Sequence, residues 1–286
     1  MYYIGIDLGG TNIAVGIVNE NHEIIAKGST PTLANREPGA ILDDMAKACA
    51  DVIAEAGLTV DDIEYAGIAT PGTADHDAGV VVYANNLPFL NYPLSDELKK
   101  RIPFKAVYIE NDANAAALGE AVAGAAKGTT DSIMITLGTG VGGGTLVGLS
   151  KKLLSMDNVE HISNLAKTGS TEKVDLKIKD ITKADIVPGF GDIMTASNFG
   201  LMDDRATKAD IALGIINMVF ETIGMVSIFA ARNYKTRDVV LTGNLSGVSQ
   251  APAIFETLNR MFDMNFIIPE NSRFGTVIGA ALAGTE

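Results

Sequence analysis

Cysteine is nearly missing from this chain: Cys49 is the only one in 286 residues. A structural zinc site of the usual sulfur-rich type is thereby excluded, and the scarcity suits a reducing compartment, read here as the cytoplasm. Histidine is scarce as well. His22, His76 and His161 stand without motif context, and such isolated histidines are more often surface residues than ligands. Basic residues are outnumbered, 22 Lys and Arg against 35 Asp and Glu, for a net charge of −13 and an isoelectric point near 4.7. With no basic stripe to oppose it, that balance argues against a nucleic-acid partner. Long uncharged apolar runs are also lacking. The most apolar segment, Lys208 to Ala231, is interrupted by Asn217, Glu221 and Thr222, whereas a membrane span needs about 20 nearly uncharged residues. No membrane partner is expected. The first residues form a strand rather than a basic region followed by an apolar stretch, so no signal peptide is expected.

What is present is 47% apolar content, enough for two lobes with substantial cores, in an alternation of strands and helices that reads as α/β layers. Glycine marks two turns, each following a short apolar strand. Tyr2-Tyr3-Ile4-Gly5-Ile6 delivers Asp7 and then turns through Gly9, Gly10, Thr11 and Asn12; Ser132-Ile133-Met134-Ile135-Thr136 enters Leu137 and then Gly138, Thr139 and Gly140. Glycine lets backbone N–H groups approach an anion without Cβ interference, and an Asp at the end of the first strand can hold magnesium or its water shell. An ordinary hairpin turn and a flexible linker are the plainer readings of the two segments. Between them, the strand Val107-Tyr108-Ile109 ends in Glu110-Asn111-Asp112 before an alanine-rich helix from Ala113 to Ala126. An Asp at that point can accept a proton from an alcohol attacking a γ-phosphate, so Asp112 is the candidate base; it is equally placed to cap the helix, a role open to Asn111 too.

The stretches Gly5 to Asn12, Ala69-Thr70-Pro71-Gly72, Asn86-Leu87-Pro88 and Glu110-Asn111-Asp112-Ala113-Asn114-Ala115-Ala116 resemble the ROK family of sugar kinases, and bacterial glucokinases within it, in register over residues 1 to 144. The resemblance implies an α/β, two-lobed actin-like ATPase (RNase H-like) fold that binds Mg-ATP and a hexose between its lobes. It also implies that Asp112 is the base, that Asn86 and Asn111 hold sugar hydroxyls, and that Thr70, Pro71 and Gly72 line the same pocket. Beyond the second turn this likeness stops. The Glu-x-Gly-His element that grips the sugar in that family and its zinc-binding cysteine cluster are both missing from the sequence.

The second half resembles type II pantothenate kinases instead, through the stretches from Gly142 to Ser150, Val174 to Lys177, Thr195 to Gly200 and Asp238 to Asn244. This resemblance implies that Gly243 and Asn244 border adenosine and that the helix at 208–231 lies at a homodimer interface. Composition shifts at the same place: residues 1 to 143 carry 8 basic and 19 acidic residues and six of the seven tyrosines, the remainder 14 and 16. A natural or engineered chimera is the expectation, with lobes at 1–128 and 129–286 and Gly128-Thr129-Thr130 as hinge. Because one glycine turn serves where the second family has a turn, a hairpin and a glycine run, the second lobe's sheet should be short by about two strands.

Three functions follow from these readings: ATP-dependent hexose phosphorylation, pantothenate phosphorylation, or a folded chimera without activity.

Overall fold

The computed structural model describes residues 1–182, 194–269 and 275–284. By contacts the chain divides into one unit formed by Met1–Thr129 with the C-terminal segment, and a second formed by Thr130–Pro269.

In the first unit, strands β1 (Tyr2–Leu8), β2 (Asn12–Asn19) and β3 (Ile24–Pro31) form an antiparallel meander. Helix α1 (Pro38–Glu55) follows, with Pro38 in its first turn, where a missing N–H costs nothing. Its buried positions Ile41, Leu42, Met45, Cys49, Val52 and Ile53 recur at helical spacing and cover β2 and β3. Strand β4 (Ile63–Thr70) then pairs in parallel with β1. A small antiparallel sheet, β5 (Thr73–Asp75), β6 (Val80–Tyr83) and β7 (Leu90–Tyr92), leads through α2 (Leu94–Lys99) into β8 (Val107–Asn111), which pairs in parallel with β4. The main sheet thus runs β3-β2-β1-β4-β8. Helix α3 (Asp112–Val122) leaves from the end of β8. It is shorter than the Ala113–Ala126 helix expected, ending where Ala123 takes a φ of −126°.

The second unit opens with β9 (Ile133–Thr136), followed by a glycine turn that feeds directly into α4 (Gly144–Leu154) and α5 (Val159–Ala166). A short pair, β10 (Leu176–Lys177) and β11 (Thr195–Ser197), flanks α6 (Ile178–Ile181). Helix α7 (Lys208–Asn233) starts at a Thr207–Asp210 capping box and packs against α4, α5 and α8 (Ala251–Phe262). It is long and apolar enough to cross a membrane (mean hydropathy 1.9), but 61% of its apolar window is buried in the protein. Strands β12 (Asp238–Thr242) and β13 (Asn265–Ile267) complete the parallel sheet β13-β12-β9.

Among the described residues β9 has no strand on its other side. The first unit's β1 has an antiparallel hairpin there, and among the described residues the second sheet has no such pair, in keeping with the single glycine turn. β9 is accordingly only partly buried along its length, an edge of the kind that invites further pairing.

The last helix, α9 (Gly275–Leu282), belongs with the first unit, although residues 129–286 were expected to form the second lobe. The reason is close packing. A Cβ on Gly5 would lie 1.8 Å from the Val277 carbonyl oxygen, one on Gly67 1.8 Å from that of Ala280, and one on Gly279 1.6 Å from that of Ala115. Strands β1 and β4 and helix α3 therefore touch α9 backbone to backbone. In the sequence the stretch Phe274 to Ala283 reads as a tightly packed small-residue helix; Phe274 itself lies outside the described residues.

Candidate functional site

In the first unit the parallel register pairs Asp7 with Ala69 and Thr70 with Asn111. The carboxyl ends of β1, β4 and β8 therefore bring Asp7, Thr70 and Asn111 to one edge of the sheet, where α/β proteins bind ligands. The turn after Asp7 is closed by Gly9 N donating to Asn12 O at 3.0 Å. Thr32, fully buried, braces it: its Oγ1 donates to Gly9 O (2.6 Å) and its N to Thr11 O (2.9 Å). The segment is thus a braced hairpin turn, with Thr11 and Asn12 exposed at its tip.

The loop between β6 and β7 comes up to this turn. A Cβ on Gly10 would fall 2.5 Å from Asn86 Nδ2, so Asn86 lies beside the Asp7 turn. Gly72 has φ +90°, and a Cβ there would sit 2.0 Å from Tyr83 O, fixing the Thr70-Pro71-Gly72 turn under the same loop. Asn111 ties these pieces together. Its Oδ1 accepts from Ala113 N (3.0 Å) and Asn114 N (3.2 Å), and its Nδ2 donates to Gly72 O at 2.9 Å. Asn111 is therefore the cap of α3, and Asp112, the first helical residue, is left with one bond, from Ala113 N to its Oδ1 (2.9 Å).

Both carboxylates hold their protons unusually well. Burial, and then the charge of Asp112, push Asp7 up to about 7 from 3.8; burial also raises Asp112, against the pull of the Ala113 N–H. A partly buried carboxylate strained by a second one suits a cation. Among the described residues no three His, Cys, Asp or Glu side chains gather into an all-protein metal cage.

In the second unit the ends of β9 and β12 clasp each other: Leu137 N donates to Thr242 O (2.7 Å) and Leu245 N to Leu137 O (3.1 Å). This sets the turn of Gly138, Thr139 and Gly140 beside Gly243 and Asn244. A Cβ on Gly138 or Gly140 would meet nothing within 4 Å, leaving open space for a ligand. The following glycines are held by packing. Gly142, at φ +90°, would press a Cβ to within 2.7 Å of Ile223 Cδ1, and one on Gly143 would lie 2.7 Å from Gly138 O, so this run is a packed bend into α4 rather than a flexible linker.

Sequence reasoning missed a polar cluster in this unit, with Asp175 and Lys177 buried and the other members half-buried. Lys177 Nζ donates to Thr195 Oγ1 (2.9 Å), whose hydroxyl meets Glu221 Oε1 (2.8 Å), while Asn198 Nδ2 donates to Glu221 Oε2 (2.9 Å) and Asn217 Nδ2 to Asp175 Oδ2 (3.1 Å). Burial raises the Asp175 proton affinity, countered by Phe199 N–H and Lys177. Asn217 and Glu221, read as interruptions of an apolar helix, were the signal: four residues apart, they share one face. The cluster floors a cavity of about 820 Å³ walled by α7 and α8.

A family model described as ROK family matches residues 3–152, and another, described as Fumble, matches residues 127–266. The chain belongs to the ROK family. It is 42% identical over 144 residues to a glucokinase of Thermotoga maritima, covering 50% of this chain and 44% of that protein. It is also 35% identical over 150 residues to a type II pantothenate kinase of Staphylococcus epidermidis, covering 50% of this chain and 56% of that one. The chain spans about half the length of the curated relatives it matches. In fold it is similar to a ROK family glucokinase from Streptomyces griseus solved in complex with glucose and AMPPNP, with a TM-score of 0.69 at 20% identity over 98% of both chains. The fold is that of the actin-like ATPases.

Proposed function

We propose that this chain is an ATP-dependent phosphotransferase that phosphorylates a hydroxyl of a hexose. The observation that carries the reading is the convergence of Asp7, Thr70, Asn86, Asn111 and Asp112 at the carboxyl ends of β1, β4 and β8, in the half that matches the ROK family. The T. maritima glucokinase relative supports glucose or a similar hexose as acceptor.

In this reading Asp112 accepts the proton of the attacking hydroxyl; its raised proton affinity suits a base. Asn86 and the second amide hydrogen of Asn111 orient sugar hydroxyls, and Thr70, Pro71 and Gly72 line the pocket. Magnesium, held by Asp7, would supply neutralisation of phosphate charge. In the first unit the amides of Gly10, Thr11 and Asn12 would receive phosphate, the Gly9 N–H being spent on closing the turn; in the second unit the turn of Gly138, Thr139 and Gly140 would do the same, and Gly243 with Asn244 would border adenosine. Substrates of this kind and the free, buried Cys49 suit the cytoplasm.

The missing Glu-x-Gly-His grip weakens sugar binding. Each charged hydrogen bond lost is worth about 1.5–3 kcal/mol, so two losses lower affinity by several powers of ten. Pantothenate is the second acceptor to consider, on the strength of the match of residues 127–266 to the Fumble model and of the S. epidermidis relative. The two family matches overlap only in residues 127–152, which favours a seam there, and a chimera whose chemistry was lost at the seam is the remaining reading. A coupled ADP-release assay with a hexose panel and pantothenate decides. Hexose-dependent turnover abolished by Asp112→Ala supports the proposal; turnover with pantothenate alone replaces it; none with either, in folded protein, leaves the inactive chimera.

We further propose a homodimer through α7. Val226 and Phe229 are 64% and 63% exposed on this helix, beside the cavity walled by α8. Sedimentation of the wild type as a dimer and of Phe229→Asp as a monomer is the expected result; a monomeric wild type refutes it.

A further inference from the structure

Glu110 stands one residue before the cap of α3 and touches both sides of the strand-to-helix turn. Its Oε1 accepts from the backbone N of Asn111 at 2.7 Å and from Asn114 Nδ2 at 3.1 Å. One carboxylate oxygen thus joins the last residue of β8 to the first turn of α3, across the peptide that carries Asp112. Its other oxygen, Oε2, lies 3.9 Å from Nδ1 of His76. That ring is held from behind: Nδ1 donates to the Ile109 carbonyl oxygen at 2.9 Å, and the ring stacks on Tyr108 with centroids 6.0 Å apart.

We infer that Glu110 is a positioning residue for Asp112, acting by clamping the Asn111–Asn114 turn. The inference rests on the hexose-kinase reading for its catalytic consequence, though the clamp itself does not. The action is geometric, not electrostatic. Burial raises the proton affinity of Asp112 and backbone N–H groups oppose it. Both clamping bonds end on a single oxygen acceptor, which a glutamine carbonyl can replace and an alanine cannot. Without the clamp, Asn111 still caps α3 and reaches Gly72 O, so the helix persists while the turn bearing Asp112 gains freedom. A base displaced by about 1 Å can cost 100-fold in rate.

The test compares Glu110→Ala and Glu110→Gln with the wild type by steady-state kinetics with glucose and Mg-ATP, and by amide hydrogen exchange. Glu110→Ala is expected to lower kcat about 10- to 100-fold with KM for ATP unchanged, and Glu110→Gln to stay within about threefold of wild type. The Asn111 amide is expected to exchange faster in the alanine variant only. Equal losses in both variants would assign the effect to charge and overturn the clamp; wild-type kcat in Glu110→Ala would overturn it as well. If the wild type itself shows no sugar-dependent turnover, the functional reading fails, and the exchange rates then decide the clamp alone: unchanged protection at Asn111 in Glu110→Ala refutes it.

Discussion

Replacing Asp7 by asparagine should stabilise the protein at alkaline pH while destroying the site. In the folded chain burial and the neighbouring Asp112 raise Asp7 from 3.8 to about 7. The native state therefore keeps a proton that the unfolded chain has already released, and native stability falls as pH rises between those two values. At about 1.4 kcal/mol per unit, the whole shift corresponds to about 4 kcal/mol. Below about pH 3 the carboxyl is protonated in both states, and Asp7→Asn should match the wild type. At pH 8 the variant should be the more stable by up to about 4 kcal/mol. Urea unfolding followed by tyrosine fluorescence reads this well, because there is no tryptophan and six of the seven tyrosines precede residue 144. A stability difference independent of pH, or a variant less stable than wild type at pH 8, would refute the reasoning. Asp112→Asn should shrink the pH-dependent gap without abolishing it, since burial is the first cause and the Asp112 charge the second.

Gly279→Ala should destabilise the first unit by about 3 kcal/mol, because the new Cβ would lie 1.6 Å from the Ala115 carbonyl oxygen; a thermal melt unchanged from wild type contradicts the packing of α9 on α3. Asn111→Ala removes the acceptor for the Ala113 and Asn114 amides and should cost about 1–2 kcal/mol in urea titrations. Cys49 is buried, with its thiol pushed up to about 12. It should resist a thiol-reactive dye in the native protein and titrate as one group only on unfolding.

Most of the first unit was legible in the sequence because its chemistry is local. Asp7 and its glycine turn, and Glu110-Asn111-Asp112 before a helix, are each contiguous, and strand-end position places them without further information. The choice between Asn111 and Asp112 as cap was not legible: both are good caps, and the contact of Asn111 Nδ2 with Gly72 O, 39 residues away, settles it. Likewise α9 reads as a small-residue helix, but only the close approach of Gly5 and Gly67 in three dimensions assigns it to the first unit. The shortfall of two strands among the described residues could be foreseen by counting segments after the second turn. Of the cluster around Glu221 only the shared face of Asn217 and Glu221 was legible, since the other members lie in or beside β10 and β11 and meet α7 only when those elements pack.

The most direct test of the central claim is to follow phosphorus by NMR while wild type and Asp112→Asn act on Mg-ATP and glucose. The account predicts a sugar monophosphate accumulating with ADP in the wild type, and a rate lower by about 100-fold or more in the variant. A folded wild type that forms no sugar phosphate, or a variant that forms it at the wild-type rate, would contradict it.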